Sequence, residues 1–173
     1  MTIKRRGTTS ALKRLAYAQL LILGFSLTHA IQAAPASSLM SGFNPLIGGQ
    51  WVLGSTYQTY TWGPDQQSVF GESFVIHNGE KALGAKGLWY FDPASKTIKG
   101  VFVATNMPFT VLHYRSHFEA GMLISQVRSL DNLGTENHYQ ETIRVTQPDA
   151  YLWELTEAEP AGGTMKAEFH RAP

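Results

Sequence analysis

Residues 68–79 read SVFGESFVIHNG, and the chain runs on as EKALGAKGLWYFDP to residue 93. Ser68 to His77 is a short run rich in aromatic and β-branched residues, and it stops at Asn78-Gly79. That dipeptide accepts left-handed backbone at both positions and is the strongest short-range mark of a two-residue hairpin. A second run, Ala85 to Phe91, stops at Asp92-Pro93. Two strand-like runs joined by a tight turn argue for an antiparallel sheet, and the chain on either side repeats the pattern.

Working outward, Gln50 to Trp62 ends at Gly63-Pro64-Asp65, and Thr97 to Thr105 ends at Asn106-Met107-Pro108. Phe109 to Phe118, Met122 to Leu130 and Thr135 to Thr146 follow, each closed by Gly, Pro, Asn or Asp. Tyr151 to Thr156 and Thr164 to Arg171 finish the chain. No long helical periodicity interrupts them; Asn44-Pro45-Leu46-Ile47 alone reads as a short helical turn. About nine consecutive strands with short connections predict an antiparallel meander, because parallel crossovers need longer links. Closing the meander removes its two free edges. The expected fold is all-β, a closed barrel of about 8–10 strands, with a two-sheet sandwich as the alternative.

The N-terminus differs in character. Lys4, Arg5, Arg6, Lys13 and Arg14 precede an uncharged apolar run from Leu15 to Leu27, and small residues follow. This is the pattern of a secretory signal, with cleavage expected after Ala33 or Ala36. A retained membrane anchor is the alternative, but Gln19, Thr28, His29 and Gln32 interrupt the run. The expected organisation is a signal over residues 1–33, a small-residue linker over 34–42 and a barrel domain over 43–173. The protein is expected in the periplasm or secreted, with no membrane association after cleavage.

Removing that leader changes the charge. The whole chain carries +1, and five basic but no acidic residues precede position 34, which leaves about −4 on the mature domain. A mildly acidic domain without a Lys/Arg cluster is not a nucleic-acid partner. There is no cysteine, which excludes disulfides, thiol catalysis and thiolate metal sites. No Gly-x-Ser-x-Gly, His-Glu-x-x-His or phosphate-cradling glycine loop occurs.

The stretch Asn44 to Trp51, NPLIGGQW, is a helical turn leading to Gly49-Gln50-Trp51 at the head of the first strand. It resembles the opening signature of the calycin superfamily, which includes the lipocalins. The resemblance implies that Trp51 lies across the barrel base, that Gly49 lets the chain pass closely over it, and that Arg171 of the last strand packs on its ring. Trp89-Tyr90-Phe91-Asp92-Pro93, Lys96-Thr97-Ile98-Lys99-Gly100 and Phe169-His170-Arg171 extend the likeness to a bacterial secreted, calycin-like family of unknown function. Haem-binding barrels of the superfamily follow Gly-x-Trp with a Tyr-Pro-Thr-type segment. Here Ser55-Thr56-Tyr57-Gln58 stands in its place, and no cofactor is expected.

Several polar side chains invite a chemical reading. His113 and His117 flank Arg115 in HYRSH. On a strand, four residues span about 13 Å, too far to share one ion. The opposite face, with Leu112, Tyr114 and Phe118, has the better claim to the core, so HYRSH is expected to face outward and no metal site is expected. Glu72 alternates with Phe70, Phe74 and Ile76, which predicts a carboxylate facing the lumen, paired there with Arg144 or Arg115. Tyr139, Glu141, Ile143 and Val145 share a face of their own. With Trp89 and Trp153, the lumen candidates are Glu72, Trp89, Tyr139, Glu141 and Trp153. They point to a barrel that holds a small, largely apolar molecule. The alternatives are an isomerase, hydratase or cyclase using Glu72 or Glu141 with a histidine, and a purely structural or partner-binding envelope protein.

Overall fold

The computed structural model describes residues 39–105, 108–158 and 162–173. The leader expected over residues 1–33 lies outside them. A 3-10 helix, Ser41–Leu46, leads into ten strands: β1 Trp51–Leu53, β2 Thr56–Trp62, β3 Ser68–His77, β4 Glu80–Asp92, β5 Thr97–Ala104, β6 Val111–Glu119, β7 Met122–Leu130, β8 Glu136–Gln147, β9 Ala150–Glu157 and β10 Thr164–Arg171. Each pairs antiparallel with the next, and β10 returns to β1, so the meander is a closed barrel.

The run Gln50 to Trp62 is two strands rather than one, because the chain turns back at Gly54-Ser55. β4 also begins earlier than Ala85, at Glu80. Asn78 and Gly79 take φ of 51° and 82°, the left-handed pair that a two-residue hairpin needs, so pairing resumes at once with His77 opposite Glu80. The composition of residues 80–84, with Glu, Lys, Ala and Gly, hides this segment from a propensity reading. From the stretch expected as a linker, Met40 is fully buried and joins the core with Phe43 and Leu46.

Alternation sorts the wall into two faces. In β5, Ile98, Gly100, Phe102 and Ala104 are buried while the residues between them are not. Large and small residues interlock across the inner face. A Cβ on Gly87 would stand 2.1 Å from the Val101 carbonyl oxygen and 2.5 Å from the Phe102 ring. One on Gly71 would stand 3.0 Å from both Phe102 and Trp89. Those two rings lie against bare backbone, with centroids 4.4 Å apart.

The helix plugs one end. Phe43 meets Phe118 edge-on at 5.0 Å and Trp89 at 5.6 Å. Trp51, fully buried, donates from Nε1 to the Leu46 carbonyl at 2.9 Å. Arg171 pairs with Trp51 across the β1–β10 seam, and its guanidinium lies 4.2 Å from the indole centroid. The same guanidinium donates to the carbonyls of Gly48 and, at 2.9 Å, Pro45. Gly49 has φ of +71°, and a Cβ there would press on the Arg171 guanidinium at 3.2 Å.

Arg171→Ala removes the ring contact and both carbonyl bonds from a partly exposed site, and it should cost about 1–2 kcal/mol in urea unfolding. Arg171→Lys should recover less than half, since an ammonium cannot fork between two carbonyls. Gly87→Ala should cost about 1–3 kcal/mol by overpacking. Wild-type stability in either alanine variant would show that the interaction concerned carries no weight.

Candidate functional site: the lumen

The barrel interior is not filled. Above the plug lies a cavity of about 330 Å³. Leu53 and Met165, at the ends of β1 and β10 remote from Trp51 and Arg171, line it while 41% and 57% exposed, so it opens at that end. Its wall is aromatic and aliphatic: Tyr60, Trp89, Phe102, Tyr114, Ile143 and Trp153 contribute. No Lys, Arg or His among the described residues lines it.

Glu141 is the polar centre of this wall. It comes from β8, whose inner face carries Tyr139, Glu141, Ile143 and Val145 as the alternation predicts. Glu141 is 7% exposed. Its Oε1 accepts from Trp153 Nε1 at 2.8 Å, and its Oε2 has no partner among the described residues. Beside it in register stands the fully buried Ser125, which is already committed to Ser116 at 2.8 Å. Burial raises the Glu141 pKa to about 7, and the Trp153 bond opposes the rise only in part.

Tyrosines surround this carboxyl. Burial pushes the hydroxyls of Tyr60, Tyr114 and Tyr151 far up, and the charge on Glu141 adds to each shift. Tyr60 donates to Gln58 Oε1 at 2.7 Å, Tyr151 donates to the same oxygen, and the two hydroxyls lie 3.3 Å apart. Trp89 Nε1 is buried without a partner, with its indole edge over Gly100.

Of the predicted residues, Trp89, Glu141 and Trp153 meet at this cavity. Tyr139 faces inward and packs on the core but is not among the side chains lining it. The partner expected for Glu72 requires correction. Glu72 borders the lumen, yet its carboxylate is held on the outer face by Lys86 at 2.7 Å and Lys81 at 2.9 Å, not by Arg144 or Arg115. Lys86 and then Lys81 keep it below the ordinary carboxylate range. The residues that face inward on β3 are Val69, Gly71 and Ser73, while Phe70 is 40% exposed. Phe74 is covered from outside by Tyr57, stacked at 5.4 Å, and by Lys81 at 4.1 Å.

The histidine that the enzyme alternative paired with Glu141 is not at the cavity. His113, Arg115 and His117 turn outward on β6, opposite the inner Leu112, Ser116 and Phe118. His170 is exposed beside the seam, opposite Val52. Among the described residues, no three His, Asp or Glu side chains are grouped to hold a metal ion.

The site also contains residues that strand-by-strand reading passed over. Gln58 and Tyr60 sit in the run whose break at Gly54 obscured its faces, and Tyr114 read as plain core. Neither a protein-family model nor a curated protein matches the chain.

Glu141 makes stability pH-dependent with a definite sign. Its folded pKa, about 7, exceeds its ordinary value of 4.5. Between those values the folded state holds a proton that the unfolded chain has lost, so stability falls as pH rises through this window. At 1.36 kcal/mol per unit the loss approaches about 3 kcal/mol, complete above pH about 7. Urea unfolding from pH 4.5 to 8 should follow this slope, and Glu141→Gln should flatten it while retaining the Trp153 bond. A variant with the wild-type slope would assign the titration elsewhere.

Proposed function

We propose that the protein is an exported, calycin-like carrier or receptor barrel that binds a small, largely apolar molecule in its lumen. One observation carries the binding reading: a cavity of about 330 Å³, walled by aromatic and aliphatic side chains and open at one end. That volume lies at the lower end of the range for small-molecule sites, about 300–1,000 Å³. A barrel closed on itself is compatible with calycin relatives, and the Trp51–Arg171 contact supports that kinship. Export rests on the basic and then apolar pattern of residues 4–27.

A neutral reporter tests the lumen. N-phenyl-1-naphthylamine should bind one-to-one with enhanced, blue-shifted emission. Ala167 lines the cavity, so Ala167→Trp should fill it and weaken the reporter at least tenfold, with a thermal unfolding scan confirming that the variant is folded. Undiminished affinity in a folded Ala167→Trp would move the binding out of the lumen.

Glu141 supports a second reading. A carboxyl that is half-protonated near pH 7 is suited to general acid/base work. With no histidine among the described residues at the wall, the proton partner would be a tyrosine such as Tyr114. In that case Glu141→Gln abolishes turnover of an isomerase, hydratase or cyclase substrate and leaves reporter binding intact.

A further inference from the structure

The lumen has a polarity that a carrier of purely apolar molecules has no need for. Glu141 lines the cavity, is 7% exposed, and has accepted one hydrogen bond, from Trp153. An ionised carboxylate has about four acceptor positions, so most of its capacity is unused. Its second oxygen is buried with no partner among the described residues. No cationic side chain among the described residues lines the cavity to neutralise it.

Three ligand chemistries can be weighed against that wall. A neutral apolar molecule covers the carboxyl and leaves it unsatisfied, which is costly in a dry site. An anion brings a second negative charge beside the first, with no countercharge. A cation is attracted by the carboxylate, and the aromatic wall of Tyr60, Trp89, Tyr114 and Trp153 offers it π-systems as well. Those rings do not merely sit near one another. Trp89 lies 6.1 Å from Tyr60 and 5.6 Å from Tyr114, so three of them form one contiguous aromatic surface.

We infer that the ligand is a small organic amine, whose ammonium donates to the Glu141 carboxyl while its apolar body lies against the aromatic wall. The inference rests on the lumen being a ligand site and adds the class of ligand it selects. Binding of this kind requires Glu141 to be ionised. The groups that face Glu141 are Tyr60 from β2, Tyr114 from β6, Ser125 from β7 and Tyr151 and Trp153 from β9. The tyrosines are driven upward by burial, and the β10 side chains at the cavity, Met165, Ala167 and Phe169, do not titrate. Glu72 also borders the cavity, but Lys86 and Lys81 hold its carboxylate below the ordinary range, which leaves Glu141 as the group whose protonation opposes the amine. Amine affinity falls about tenfold per unit as pH drops below about 7, with one proton released per amine bound there.

A matched series separates the chemistries: 2-phenylethylamine, 2-phenylethanol and phenylacetate, titrated calorimetrically and by displacement of N-phenyl-1-naphthylamine at pH 8. The amine is expected to bind at least tenfold more tightly than the alcohol, and phenylacetate most weakly. Glu141→Gln should bring the amine to the level of the alcohol. If that variant does not fold, wild-type titrations at pH 5, 6, 7 and 8 carry the same test through the pH slope. Equal binding of amine and alcohol, or tightest binding of phenylacetate, would overturn the amine inference while leaving a lumen binder standing. Failure of all three compounds and of the reporter to bind would remove the lumen reading itself.

Discussion

The seam between β1 and β10 is two residue pairs long, Trp51 with Arg171 and Val52 with His170. Every other strand pair in the barrel has a longer ladder or, in β1–β2, a tight turn to hold it. Even with the bond from the Ala172 N–H to the Gln50 carbonyl at 2.7 Å, this seam has few ladder hydrogen bonds. The Trp51 indole and the Arg171 guanidinium supply what is missing, one face-on contact that also collects two carbonyls of the lead-in helix. The first strand, the last strand and the plug thus meet at one pair of side chains. Without that junction the meander has two free edges, and an open edge is a template for association.

Closing one end determines what the other end can be. The plug and the base take Met40, Phe43, Leu46 and Trp51, all at most 2% exposed. Interior space then narrows to a region where large rings from β4 and β5 lie over glycines on β3, β4 and β5. Trp89 and Phe102 approach the wall closely at Gly71, Gly87 and Gly100. The volume that the rings leave unfilled is the cavity lined at its open end by Leu53 and Met165.

This arrangement explains what could and could not be read from the chain. The meander was legible because its signals are local: Asn78-Gly79, Asp92-Pro93, Glu119-Ala120-Gly121 and their spacing. The Trp51–Arg171 pairing was legible through a motif at each end of the chain. Glu141 was legible because Tyr139, Ile143 and Val145 flank it at period two. Glu72 was misread by the same rule. Counting bulk on β3 favours Phe70, Glu72, Phe74 and Ile76 as the inner set, yet Gly71 is inside because neighbouring strands have already supplied the rings. Inward-facing bulk is conserved across a cross-strand layer, not within one strand, and period-two reading of a single strand cannot see the layer. The tyrosines around Glu141 were hidden for the same reason. They come from β2, β6 and β9 and converge only when the barrel closes.

Glu141 then sets the energetics of the lumen. A buried carboxylate with one hydrogen bond destabilises the barrel above its pKa, and a glutamine, which keeps an acceptor for Trp153, would relieve that cost. The same free energy has a second face. Whatever satisfies the ionised carboxyl in the bound state cancels the penalty that ionisation imposes in the free state. A cationic ligand therefore stabilises the fold most where the apo protein is weakest, above the Glu141 pKa of about 7, and least where Glu141 is already neutral. Stability and selectivity are thereby coupled through one side chain. The charge that makes the empty barrel costly is the charge that distinguishes an ammonium from an alcohol of the same shape.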